Sequence, residues 1–278
     1  MNIEIMQEYK IYLLENESSE NTILKYTRDV KTFLEFLGND EIDKTKVILF
    51  KEHLKSKYLA SSVNSMLAAI NNFLEFLGMT SLKIKPLKVQ KEMFLSPEKE
   101  LTKEEYERLV KTAESQNNTR LSLIIQTICS TGIRVSELKF VTVDSISTRR
   151  SLVNLKGKTR TIFLPKDLCK LLRKHCVSNS IVKGSVFVTK TGKPLDRSNI
   201  WTMMQKLCKK ANVNGTKVFP HNLRHLFART YYKIEKDISK LADILGHSSI
   251  NTTRIYIMET GSEHIKQLNR MNLVRFIE

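Results

Sequence analysis

The hexapeptide FLEFLG occurs twice in this chain, at residues 33–38 and 73–78, and each time it closes a stretch of helical periodicity. Between Thr22 and Leu37 the apolar side chains are Ile23, Tyr26, Val30, Phe33, Leu34 and Leu37, the 3.6-residue rhythm of one helix face. Val63, Met66, Leu67, Ile70, Phe73, Leu74 and Leu77 repeat the device, with Ser61 or Ser62 available as a cap. Gly38 and Gly78 follow as terminators. A stripe of this width must be covered by another helix. Helices near 3–14 and 43–57 supply the cover, which predicts two packed helical hairpins, a four-helix domain over residues 1–82.

At 278 residues the chain is too long for one small core, and the charge divides it further. Lys and Arg number 46 against 29 Asp and Glu, a net +17. Residues 1–90 hold 12 basic and 12 acidic side chains, so the whole excess lies beyond them. Such a surplus predicts a polyanionic partner. Cys129, Cys169, Cys176 and Cys208 form no C-x-x-C pair and no disulfide framework, as expected in a reducing compartment. The acidic start MNIEIMQEYK does not read as a signal peptide, and the longest uncharged stretch, Tyr58 to Leu74, is too short and polar to span a bilayer. A cytoplasmic protein is expected.

Residues 83–100 read as an interdomain linker, with two prolines and Lys83, Lys85, Lys88 and Lys91 within nine residues. It is either a solvated connector or a segment that tracks phosphates. A second domain over 101–278 opens on a capping box, Thr102 to Glu105, before the helix KEEYERLVKTA. Another helix begins at Leu121. From Phe140 to Pro165 the period changes to alternation around a glycine turn, which predicts a small antiparallel sheet. Helical patterns resume after Lys166.

Four segments of this domain carry more chemistry than packing requires: Thr131-Gly132-Ile133-Arg134-Val135-Ser136-Glu137-Leu138, the turn Lys156-Gly157-Lys158-Thr159-Arg160, His221-Asn222-Leu223-Arg224-His225, and Leu245-Gly246-His247 followed by Tyr256. Singly, each has a plain reading: Arg134 and Glu137 as an i,i+3 pair, His247 as a helix cap, Tyr256 as core. Together, two arginines, a lysine, two histidines and a tyrosine are the parts for phosphoryl transfer without a metal.

The ordered set resembles the tyrosine recombinase, or phage integrase, superfamily, most nearly its compact Xer-like or transposon-encoded two-domain members, along essentially the whole chain. The resemblance implies a mainly α fold with a small antiparallel β-sheet: an N-terminal four-helix SAM-like core-binding domain, then an α+β tyrosine recombinase catalytic domain. It assigns Arg134, Lys156, His221, Arg224 and His247 to a phosphate pocket and Tyr256 to the nucleophile, with Glu137 as acidic support. Relatives commonly read G-K-G-x-K at the turn, whereas this chain has Leu155-Lys156-Gly157-Lys158, so Lys158 is the alternative to Lys156. Arg160 reads as a backbone-phosphate contact or a strand-surface charge.

The roles follow from elementary chemistry. A phenol, pKa about 10, attacks well only when cations stabilise its phenolate and a neutral imidazole, here His221, takes its proton. Arg134 and Arg224 fork onto non-bridging oxygens. Lys156 protonates the departing 5′ oxygen and His247 donates to the phosphate. The resulting 3′-phosphotyrosyl link conserves the bond energy, so no ATP, metal or other cofactor is expected. A zinc reading of Cys208-x12-His221-x3-His225 lacks its C-x-x-C half, and His225 reads as a structural neighbour.

The expected activity is site-specific recombination through a Holliday junction, for resolution or integration. Type IB topoisomerase-like relaxation and non-catalytic DNA-binding regulation are the alternatives. The partner is double-stranded DNA with paired half-sites, bound by a homo-tetramer with or without a partner recombinase, at the nucleoid. Lys25, Arg28 and Lys31 are expected to meet DNA from the second helix, alongside Lys83, Lys85, Lys88, Lys158 and Arg160. The tail, 262–278, carries an apolar stripe of Ile265, Leu268 and Met271 with Leu273 or Val274. It docks either on its own domain or, as the resemblance implies, on a neighbouring protomer.

Overall fold

The computed structural model describes residues 2–89, 97–155, 158–189, 191–256 and 261–273. The chain divides into two compact units, Met1–Lys91 and Glu92–Glu278.

The first unit is built from α1 (Asn2–Glu15), α2 (Glu20–Leu37), α3 (Lys44–Lys57) and α4 (Ala60–Phe76). The Ser19 hydroxyl accepts from the Thr22 amide to start α2, and Asp43 does the same for Lys46 at the head of α3. The expected serine cap of α4 is not used: Leu59 holds that position without a side-chain bond, and Ser61 and Ser62 lie inside the helix. The two copies of FLEFLG each bury their first phenylalanine. Phe33 packs on Phe50 at 5.0 Å and Phe73 on Tyr9 at 5.1 Å, all four fully buried. Each such ring contributes about 1.5–3 kcal/mol by leaving water.

Residues 83–89 continue this unit. Asn71 on α4 accepts from the Ile84 amide at 3.0 Å and donates to the Ile84 carbonyl at 2.9 Å. Asn64, two turns earlier, treats Leu87 alike at 2.6 and 2.9 Å. A carboxamide both donates and accepts, so two of them pin an extended segment much as a neighbouring strand would. The first half of the expected linker is therefore bonded to α4.

The second unit begins with α5 (Lys103–Ser115), where Thr102 and Glu105 form both bonds of the capping box. The fully buried Ile124, Ile125 and Ile128 lie on α6 (Thr119–Thr131), which packs against α5, α8 (Lys166–Ser178) and α10 (Pro220–Glu235). Between them come a 3₁₀ turn at Val135–Phe140, α7 (Val143–Thr148), and the antiparallel pair β1 (Arg150–Leu155) and β2 (Lys158–Phe163), with Val153 opposite Arg160 and Leu155 opposite Lys158. α9 (Arg197–Ala211), α11 (Ile238–Leu245), α12 (Ile250–Arg254) and α13 (Gly261–Arg270) complete it. The fold is mainly helical with a small antiparallel sheet, as the periodicities predict. Among the described residues no helix is long and apolar enough to cross a membrane.

Candidate active site

The C-terminal end of α11 organises the site. Its last carbonyls carry the negative end of the helix dipole, which favours cations. Three consecutive ones receive three arginines: Ile244 accepts from Arg160 at 2.7 Å, Leu245 from Arg224 at 2.7 Å, and Gly246 from Arg134 at 3.4 Å. The three come from β2, from α10 and from the residue that precedes the 3₁₀ turn, so the end of α11 joins three separate parts of the sequence.

Glu137 is the counter-charge. Its side chain is 3% exposed; it accepts from the Arg134 amide at 2.7 Å, from Arg134 Nη1 at 3.1 Å, from Arg160 Nε at 3.3 Å and from Arg160 Nη2. Burial alone would raise its pKa, but the bonds from Arg160 and Arg134 outweigh it and hold the carboxyl below its ordinary range. Arg134 keeps 41% of its side chain exposed, so its guanidinium still faces solvent.

Arg224 is enclosed, 1% exposed. Nη1 donates to the Gly132 carbonyl and Nη2 reaches both Leu245 O and His247 Nε2, the latter at 2.9 Å. Its Nε is buried and unpartnered among the described residues. Burial, then the charge of Arg134, pulls its pKa down to about 10, the mark of a pocket with too few anions. Gly132 is required there. It ends α6 at φ +64°, and a Cβ would run into the Phe227 ring.

Tyr256 lies over this cluster, 6% exposed, with its ring 5.9 Å from the Arg224 guanidinium carbon. Three imidazoles surround it: His225 stacks at 4.2 Å and 25°, His247 lies at 5.2 Å, and His221 stands edge-on at 5.4 Å. All three have lowered pKa values. His247 falls to about 4 through burial and then Arg224, Arg134 and Arg160. His225 falls to about 4 through burial, His221 and Arg224, and His221 is lowered by desolvation and then Arg224, Arg134 and Arg197. Each is a neutral ring near pH 7.

The structure thus brings Arg134, Glu137, His221, Arg224, His247 and Tyr256 together. Lys156 lies outside the described residues, as does the side chain of Lys158. Arg160 corrects the expectation of a phosphate contact or strand-surface charge: it is 13% exposed and spent on Glu137 and Ile244. Lys25, whose side chain is 33% exposed, is bonded through Nζ to the buried Asp29 and to the Ser65 carbonyl at 3.0 Å. Arg28 and Lys31, 74% and 73% exposed, remain at the surface of α2; Lys85 and Lys88 are exposed on the segment that follows α4, and Lys83 there pairs with Glu75 at 2.8 Å. Cys208 is buried in α9, donating to Met204 O, and among the described residues no group of three potential ligands forms a metal site. Thr253 escapes sequence reasoning, and His225, read there only as a structural neighbour, has a defined contact. Thr253, fully buried, bonds His247 Nδ1 at 2.8 Å, and His225 forms the stack on Tyr256.

Residues 99–263 match the Phage integrase family and residues 6–79 the phage integrase N-terminal SAM-like domain. The chain is 30% identical to tyrosine recombinase XerA of Thermococcus kodakarensis over 95% of its length and 93% of the relative's. It is 37% identical to tyrosine recombinase XerH of Campylobacter jejuni over 56% of its own length and 47% of the relative's. A crystal structure of XerA recombinase matches 98% of this chain and 99% of that one, with a TM-score of 0.55 and 26% identity. The XerH recombinase bound to its difH substrate shares the fold, with a TM-score of 0.71 at 18% identity over 93% of this chain and 81% of that one. The chain belongs to the phage integrase family, the tyrosine recombinases.

Proposed function

We propose that this protein is a site-specific DNA recombinase that cuts and rejoins strands through a 3′-phosphotyrosyl intermediate at the pocket formed by Arg134, Arg224 and Tyr256. The observation that carries the reading is the placement of Tyr256: a phenol over a buried arginine, ringed by neutral imidazoles, beside a second arginine open to solvent. Glu137 balances Arg160 and part of Arg134; a phosphodiester supplies the anion that Arg224 lacks among the described residues, and it offers an acceptor to the unpartnered Arg224 Nε.

In the cleavage step the Tyr256 oxygen bonds to phosphorus and the P–O5′ bond breaks. The phenol proton passes to His221, which is neutral and exposed at the pocket edge. The leaving 5′ oxygen takes a proton from Lys156. Arg134 and Arg224 stabilise the added negative charge of the five-coordinate transition state, where fixed cations act most strongly. Religation reverses each transfer, so the step is isoenergetic and needs no cofactor.

The active form is proposed to be a homo-tetramer on paired half-sites of duplex DNA, acting in the cytoplasm at the nucleoid. The apolar tail supports it, since among the described residues Ile265, Leu268, Met271 and Leu273 are left 56–79% exposed. The deciding experiment is covalent trapping. Nicked duplexes from the flanking genome are incubated with protein in EDTA, and denaturant-resistant adducts are mapped. Wild type is expected to give site-selective adducts and Tyr256→Phe none; adducts that persist in Tyr256→Phe overturn the assignment.

A further inference from the structure

α10 carries His221, with Arg224 and His225 three and four residues on, so one helix face presents all three to Tyr256. His221 and Arg224 have tasks in the cleavage step, and His225 has none. Its half-buried ring lies against the Tyr256 ring at 4.2 Å and 25°, the closest and flattest ring contact of Tyr256 among the described residues, and it meets His221 edge to face at 4.6 Å and 80°. His247 is bonded at both ring nitrogens, whereas among the described residues neither nitrogen of His225 is. What His225 offers Tyr256 is a flat face. It cannot take the phenol proton from that position, because imidazole lone pairs lie in the ring plane and this plane runs alongside the phenol.

The main chain of Tyr256 is fixed by its amide, which donates to the Thr253 carbonyl at 2.9 Å, and its ring clusters with the buried Ala228, Leu241 and Leu245. Two side-chain torsions still have to be set. In-line attack is exacting about both, since the oxygen sits at the far end of the ring from the backbone and has to meet phosphorus opposite the leaving 5′ oxygen. We infer that His225 is a positioning residue for the nucleophile, its flat face holding the plane of the Tyr256 ring so that the phenol oxygen is aimed in line. The inference rests on the reading of Tyr256 as the nucleophile. Burial, His221 and Arg224 hold the His225 pKa at about 4, so near pH 7 the ring stacks as an uncharged surface.

The test compares wild type, His225→Phe, His225→Leu, His225→Ala and Tyr256→Phe in two measurements. One uses the protein without DNA, its tyrosines labelled with carbon-13 at the ring ε positions, and the Tyr256 resonance is assigned by its loss in Tyr256→Phe. A ring stacked face to face shifts the Tyr256 ε protons upfield. They are expected to move downfield in His225→Leu and His225→Ala and to stay upfield in His225→Phe. The other is single-turnover adduct formation at saturating nicked duplex. His225→Leu and His225→Ala are expected to bind DNA like wild type and to form adduct about 10²-fold more slowly, the scale of a small misplacement of a reacting atom, while the flat ring of His225→Phe restores most of the rate. A melting curve checks that each variant folds, and His225→Leu, which fills the space, serves if His225→Ala does not. The inference is overturned if the leucine and alanine variants cleave at the wild-type rate, or if the Tyr256 resonance stays in place in both. It is overturned too if His225→Phe cleaves as slowly as His225→Ala, since the reaction then uses the ring nitrogens and not the face. Those three outcomes leave Tyr256 as the nucleophile. Adducts that persist in Tyr256→Phe overturn that reading, and this inference with it.

Discussion

His247 Nε2 lies 2.9 Å from Arg224 Nη2, and since a guanidinium only donates, the imidazole accepts there. Its proton therefore sits on Nδ1 and is donated to the Thr253 hydroxyl at 2.8 Å. This tautomer differs from the expectation that His247 donates to the phosphate, because in this arrangement Nε2 holds Arg224 in place. The consequence is testable at Thr253, which is fully buried. Thr253→Val keeps the shape and removes the acceptor, leaving a partly buried N–H unpaired. A loss of about 1–3 kcal/mol in urea unfolding is expected. Adduct formation should fall as well, because the imidazole can then turn away from Arg224; unchanged stability and unchanged adduct yield would sink the tautomer assignment.

The pocket also makes stability depend on acid. His225 and His247 are lowered to about 4 in the fold, against about 6.5 in an unfolded chain. Between those values the unfolded chain binds more protons than the native one, so stability rises with pH across the window. It is complete above about 6.5 and is lost progressively as pH falls towards 4. His225→Phe keeps a ring against Tyr256 and removes one titrating group. The slope of unfolding free energy against pH should then drop by up to one proton between pH 4 and 6.5, measured by denaturant titrations at stepped pH. Adduct formation should fall with acid too, since a protonated His221 takes no proton from Tyr256.

Gly132→Ala tests the floor of the site. The position has φ +64°, and the added methyl meets the Phe227 ring. Destabilisation of about 1–3 kcal/mol is expected in thermal or urea unfolding. Because the Gly132 carbonyl also accepts from Arg224, the residual folded protein should cleave more slowly at saturating DNA. A variant with wild-type stability and cleavage would show that the close approach to Phe227 is not needed.

In the first unit, Asn71→Ala strips both partners from Ile84, whose side chain is buried at 8% exposure. The backbone N–H and C=O then go without a protein partner. A loss of about 1–3 kcal/mol is expected, with faster hydrogen exchange at Ile84 and Leu87; exchange that stays slow at both would mean the segment is held by packing instead.

Much of this was legible in the sequence, for a physical reason. Helices announce themselves by period, so α2 and α4 are readable from Phe33, Phe73 and their neighbours, and the residues of the site are spaced along the chain in a fixed order. Side-chain direction is what the sequence hides. Lys25 and Arg160 count as positive charges in any tally, but Lys25 is paired with Asp29 and Arg160 is drawn inward by Glu137. Only the fold reveals that. Asn64 and Asn71 look like ordinary polar positions on an amphipathic helix, and their bonding to Ile84 and Leu87 depends on a segment that has no periodicity. Thr253 is invisible for the same reason, and for His225, readable as a structural neighbour, the sequence hides the partner: their roles are to bond or stack on residues brought beside them by packing.

The tail gives the last expectation. Leu268 is 64% exposed on α13, in line with Ile265 and Met271, and burying one leucine on a neighbouring copy contributes about 1.5–3 kcal/mol. Leu268→Asp should therefore leave binding to a single half-site unchanged and lower cooperative binding to paired half-sites by about 10- to 100-fold. Gel shifts on one and two half-sites, with sedimentation of the complexes, measure both. A docking of the tail on its own domain predicts the opposite pattern, in which the isolated protein loses melting temperature and cooperativity is preserved. The exposure of all four stripe residues in the single chain favours the first outcome, because a helix already docked at home would have hidden them.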